Sequence, residues 1–110
     1  MKPDAAVPAS EHPSAQLDEV VHQRARLGIL VVLAEAGTAE FTYLAARLGL
    51  TNGNLNRHLA VLEAAGLVEV DKRFEGRRPK TWLTMTPAGR SALRREVATL
   101  KAIVDGVALP

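Results

Sequence analysis

The chain has 110 residues, 47% hydrophobic and only 4% aromatic, which fits one small domain whose core must be built from Leu, Val, Ile and Ala. With no cysteine it holds neither a disulfide nor a thiolate metal site and has no Cys nucleophile. The formal net charge of +2 hides an asymmetry: 5 Lys/Arg face 7 Asp/Glu up to Glu63, then 9 face 5 from Ala64 onward, so a basic patch is expected in the second half.

Residues 1–16, MKPDAAVPASEHPSAQ, scatter Pro3, Pro8 and Pro13 among Ala, Ser and charged residues. That composition predicts a disordered tail, and it lacks the apolar stretch of a secretory signal. The folded domain is expected over 17–110. No run of residues is long and uncharged enough for a membrane span, and the apolar run Leu27–Ala34 reads as core. A helical pattern begins around Leu17. Leu27, Leu30, Val31 and Ala34 fall at i, i+3, i+4 and i+7, and Gly37 is a plausible stop. Phe41, Leu44, Ala45 and Leu48 repeat that spacing in a short second helix, ended by Gly49. Thr51 offers an N-cap hydroxyl to a third helix, about 51–65, with Leu55, Leu59 and Leu62 as its inward stripe and Gly66 as its stop.

After Gly66 the period changes to two. LVEVDKR puts Val68 and Val70 on one face and Glu69 and Asp71 on the other; KTWLTMT opposes Leu83 and Met85 to Trp82 and Thr84. FEGRRP lies between them, so 67–86 reads as a β-hairpin with a longer tip. Thr86-Pro87 then gives an N-cap and a proline at the first helical position, opening a last helix over about 87–104. The order helix, short helix, tight turn, helix, hairpin, helix is that of a winged helix-turn-helix. The fold class expected is therefore α+β, mostly helical, with a three-helix core, a β-hairpin wing and a C-terminal dimerisation helix.

The start of the third helix is poor in helix formers. It carries Thr51, Asn52, Gly53, Asn54, Asn56 and Arg57. Asn and Gly often mark a helix start simply as cap and turn residues. Beside a helix-turn and a basic hairpin, the same residues suit a recognition helix. At about 100° per residue, Gly53, Asn56 and Arg57 point away from the leucine stripe, leaving a polar and uncrowded end for the major groove. Asn matches the N6/N7 edge of adenine and Arg the O6/N7 edge of guanine. His58 falls at the core edge, where a structural or dimer-contact role is expected.

In the hairpin, Arg77 and Arg78 are candidates for the duplex backbone or a narrow minor groove, and Lys72, Arg73 and Lys80 for phosphates. The simpler reading is a solvated loop. Leu93, Val97, Leu100 and Val104, spaced 4, 3 and 4, form a short coiled-coil seam and the expected dimer interface; folding back on its own domain is the other use of that stripe. Arg90, Arg94 and Arg95 solvate the other side.

The segment FTYLAARLGLTNGNLNRHLAVLEAAGLVEVDKRFEGRRPKTWLTMTPAGRSAL, Phe41 to Leu93, resembles the winged-helix regulators of the MarR/ArsR-like superfamily. Within it, GNLNRHL, FEGRRPKT and MTPAGRSAL are similar to motifs of a group of small single-domain members; Met85 stands where leucine is usual. RLGIL, Arg26–Leu30, matches the same group's first helix. The resemblance spans roughly Leu17 to Ile103. It implies a cytoplasmic transcriptional regulator, a homodimer on double-stranded DNA and often a repressor; it names neither operator nor small-molecule effector. A chromosome-organising DNA-binding protein of low specificity and a winged-helix protein-interaction module are the alternatives. His12, His22 and His58 lack the spacing of a zinc pair, and no phosphate loop or nucleophile elbow is visible, so no metal, cofactor or catalytic residue is expected.

Overall fold

The computed structural model describes residues 12–110. After a 3-10 turn, Pro13–Gln16, the elements in chain order are α1 (Arg24–Ala36), β1 (Thr38–Glu40), α2 (Phe41–Leu48), α3 (Asn52–Ala64), β2 (Val68–Glu75), β3 (Arg78–Met85) and α4 (Pro87–Asp105). Three helices begin on a side-chain oxygen that takes an otherwise orphaned amide. Gln23 Oε1 accepts from Arg26 N (2.9 Å), Thr51 Oγ1 from Asn54 N (3.1 Å) and Thr86 Oγ1 from Gly89 N (3.0 Å). Between α2 and α3 the chain turns on Gly49, whose left-handed conformation (φ 65°, ψ 35°) suits a residue without Cβ.

The sheet is antiparallel in the order β1-β3-β2. Its inner face buries Val68, Leu83 and Met85 against Ile29, Leu30 and Leu33 of α1, Leu44 of α2 and Leu55, Leu59 and Leu62 of α3. The leucine stripe of α3 is thus in the core as expected. β1 was not visible in the sequence: three residues are too short for a periodic signal. It pairs Thr38 with Thr84 and Glu40 with Trp82, tying the root of the hairpin to the α1–α2 connection.

Two expectations need correction. The first helix starts at Arg24, not around Leu17. Asp18 Oδ1 accepts from the amides of Val20 (2.8 Å) and Val21 (3.2 Å), closing a local turn that competes with a helix. The hairpin also has no longer tip. Its strands pair from Val68↔Met85 out to Glu75↔Arg78, leaving only Gly76 and Arg77 to turn. Gly76 has φ 65° at the first central position and Arg77 does not have positive φ, the pattern of a two-residue type II′ connection. Of the tail expected over 1–16, residues 1–11 lie outside the described residues, and Pro13–Gln16 form the 3-10 turn that contacts α4.

The motif MTPAGRSAL acquires a packing reason. Thr86 N donates to Leu67 O (3.0 Å) and Thr86 Oγ1 donates to Gly66 O (2.6 Å). This pulls the first turn of α4 onto the chain just after α3. A Cβ at Gly89 would sit 2.1 Å from Leu67 O, so only glycine allows the approach.

Candidate nucleic-acid interface

The first two turns of α3 leave Asn52, Gly53, Asn54, Asn56 and Arg57 exposed, while Leu55 and Leu59 hold the helix down. Arg57 Nη2 donates to Asn54 Oδ1 (2.7 Å), so a guanidinium and an amide are held together on the outward surface. Thr51 is occupied as the N-cap. His58 turns inward beside Arg26, whose Nη1 lies 3.3 Å from His58 Nδ1. Arginine has no acceptor, so Nδ1 accepts and the ring proton sits on Nε2. Burial, followed by the charges of Arg26 and Arg57, pushes the His58 pKa down.

A cleft of about 350 Å³ separates α3 from the hairpin, lined among others by Asn56 and Glu63 of α3 and by Val70, Lys72 and Thr81 of the strands. Of the hairpin cations singled out in the sequence, Lys72 is the one that lines this cleft among the described residues. The opposite face of the sheet is largely neutralised within the fold. Arg73 Nε pairs with Asp71 (3.2 Å) and its guanidinium lies 5.1 Å from the Trp82 ring centroid. Lys80 Nζ pairs with Glu75 (3.0 Å) and Glu40 (3.4 Å). Hydrogen bonding to Glu75, and then the Glu40 charge, raise the Lys80 pKa. The hydroxyl donated by Thr42 (2.7 Å), with Lys80 beside it, lowers that of Glu40. Arg77 and Arg78 are exposed at the tip. Among the described residues neither they nor Lys72 form an ion pair.

α4 divides in two. Gly89, Ala92, Leu93 and Glu96 are buried against the domain, at i, i+3, i+4 and i+7. Leu93, one of the four seam residues, is only 8% exposed and belongs to the chain's own core. Beyond it, Val97 (43%) and Val104 (68%) are exposed, with Leu100 half-buried between them. An open apolar strip therefore runs along the second half of the helix.

Sequence reasoning missed the clasp that holds residues 18–26. Glu96, 1% exposed, accepts from Asp18 N through Oε1 (3.1 Å) and lies 2.6 Å from His22 Nδ1 through Oε2. Arg26 Nε donates to Val20 O (2.6 Å) and Nη2 to Glu19 O (3.3 Å), while Nη1 reaches His58. A continuous set of contacts thus joins α4 to α3. One signal was present: Glu96 is the lone acid in the inward stripe of α4.

An exposed, short-chained helix face held beside a basic-tipped hairpin on a three-helix core defines a winged helix-turn-helix DNA-binding protein. A model described as a winged helix DNA-binding domain matches residues 25–104, and the chain belongs to that family. A transcriptional regulator homologue from Pyrococcus horikoshii superposes with a TM-score of 0.78 at 36% identity, over 84% of this chain and 91% of that one. A transcriptional regulator of M. tuberculosis, solved in complex with DNA, does so with a TM-score of 0.67 at 25% identity, over 91% and 71%. An uncharacterised protein of Methanocaldococcus jannaschii is 40% identical over 72 residues, 66% of this chain and 78% of that protein. The resemblance read from the sequence holds: this is a DNA-binding regulator of the MarR type. Among the described residues no helix is long and apolar enough to cross a membrane.

Proposed function

We propose that the protein is a cytoplasmic, homodimeric, sequence-specific regulator, most simply a repressor, that places α3 in the major groove and the hairpin on the flanking backbone or minor groove. The observation that carries this reading is the placing of exposed Asn56 of α3 and Lys72 of β2 on one cleft, with the exposed Arg77–Arg78 tip beyond. Asn56 and Arg57 read base edges; Asn52, Asn54 and the amides beside Gly53 share base and phosphate contacts. Lys72, Arg77 and Arg78 supply charge to the duplex. Arg73 and Lys80 contribute less, because each already has a carboxylate partner. The uncovered strip Val97, Leu100 and Val104, continuous with Leu93, pairs with its copy in a second chain and presents two α3 helices to a twofold operator.

A titration of duplexes tiling the protein's own upstream region, against a scrambled duplex and at several salt concentrations, tests this. Tighter binding to one tile, with affinity falling steeply as salt rises, is expected. Equal affinity for every duplex points to the low-specificity alternative, and no binding at low salt points to a protein-interaction module. Replacing Arg77 and Arg78 by Ala flattens the salt dependence by roughly one unit of slope for each phosphate no longer neutralised.

A further inference from the structure

Phe74 is the most exposed aromatic side chain among the described residues, at 72%. It stands in the last turnward pair of β2 but one, opposite Pro79 in the register, so a phenyl and a proline ring share one face just behind the Gly76-Arg77 turn. Side chains alternate along a strand, so Val68, Val70, Lys72 and Phe74 lie on one face. The row begins in the core at Val68 and passes Val70 and Lys72, which line the cleft facing Asn56. Phe74 comes next, about 7 Å beyond Lys72 along the strand. The phenyl thus extends the α3-facing side of the hairpin outward. The other face is occupied by the Arg73–Trp82 stack and the Glu40–Lys80–Glu75 pairs.

Among the described residues Phe74 belongs neither to the core nor to the side chains packed against it, so most of the phenyl is left to solvent at the end of a basic hairpin. A duplex offers it a place. Apolar side chains flanked by cations can enter the minor groove, unstack adjacent base pairs and bend the helix. The two-residue turn keeps the tip narrow, and strand pairing out to Glu75↔Arg78 keeps it stiff.

We propose that Phe74 is an apolar wedge: the hairpin inserts it into the minor groove between adjacent base pairs, bending the bound site and favouring easily unstacked pyrimidine–purine steps beside the half-site. The inference rests on the DNA reading above and adds a specificity-determining residue to it. Arg77 anchors the tip to phosphate; Phe74 makes the protein sensitive to how readily the duplex deforms.

The test uses the full chain and the best-bound upstream duplex, labelled at its two ends with a donor–acceptor pair that reports end-to-end distance, with affinity measured in parallel. Wild type is expected to shorten the distance on binding. F74A is expected to bind roughly tenfold more weakly, to lose the shortening and to keep the wild-type salt dependence. F74L retains an apolar wedge and restores the bend. R77A shows the converse, a flatter salt dependence with the bend kept. Thermal melts of all three should match wild type, since none of these side chains is in the core. The proposal is overturned if wild type binds without bending the duplex, or if F74A bends it and binds as wild type does. Failure of wild type to bind any duplex would instead overturn the underlying DNA reading, so the two failures are distinguishable.

Discussion

Asn56 and Arg57 are exposed on α3 while Leu59, two positions on, is buried, so reading and folding can be separated by single substitutions. Asn56→Ala and Arg57→Ala are each expected to weaken cognate binding by about 1–3 kcal/mol, and to cost less on a scrambled duplex, where the matching base is absent. Neither should lower the melting temperature, whereas Leu59→Ala should cost about 2–5 kcal/mol of stability. Arg57→Ala also frees Asn54 from its 2.7 Å hydrogen bond, so its effect should exceed that of removing a single base interaction if Asn54 needs to be held in place. Binding titrations and melts on the three variants decide. A lower melting temperature for Asn56→Ala with an unchanged cognate-to-scrambled ratio would reduce the asparagine-rich start to a cap. His58 gives a second residue-scale expectation. Its pKa is lowered in the folded state, so the unfolded chain binds the proton more readily. The resulting stability is therefore fully present above the unfolded histidine value, about 6.5, and is lost as pH falls through the lower folded value. Melts should drop on acidification through this range, and His58→Gln should flatten that dependence.

The two halves of α4 do different work. Its first turns are locked to the end of α3 by Thr86 and by the absence of a side chain at Gly89. Gly89→Ala places a Cβ against Leu67 O and Met85, and the backbone must shift. It should cost about 1–3 kcal/mol or more, measured by denaturant titration, although alanine favours helix intrinsically. A neutral outcome would mean the junction is looser than its geometry. Much at this scale was legible in the sequence. The i, i+3, i+4 stripes, the Thr51 and Thr86 caps and the change to period two placed α2, α3, both long strands and α4 to within a residue or two in most cases. What was not legible has physical causes. The turn at Asp18–Val21 is local side-chain chemistry that leaves no periodicity, the three-residue β1 exists only because β3 is there to pair with, and the Glu96–His22 contact spans 74 residues. At the interface, the sequence could nominate cations but not their partners, so Arg73 and Lys80 looked equivalent to Lys72 until the strands were paired.

For the molecule as a whole, the open strip on α4 asks for a second chain. Leu100→Asp should shift the protein toward monomer in light scattering and weaken operator binding with it, because one half-site alone gives less affinity. A monomeric wild type at micromolar concentration would refute the dimer. The clasp makes the same connection inside one chain, running from Glu96 on α4 through residues 18–26 to His58 on α3. The closure at Gly89 also constrains the DNA. Since Gly89 fixes α4 against the end of α3, in the proposed dimer the pairing of two α4 helices would set both the spacing and the rotational phase of the two α3 helices. Lengthening an operator between its half-sites by about 5 base pairs would turn one half-site to the far side of the duplex. Such a site should bind only as a single half-site does, however perfect its sequence, so genuine targets should be recognisable by a fixed interval as much as by their bases.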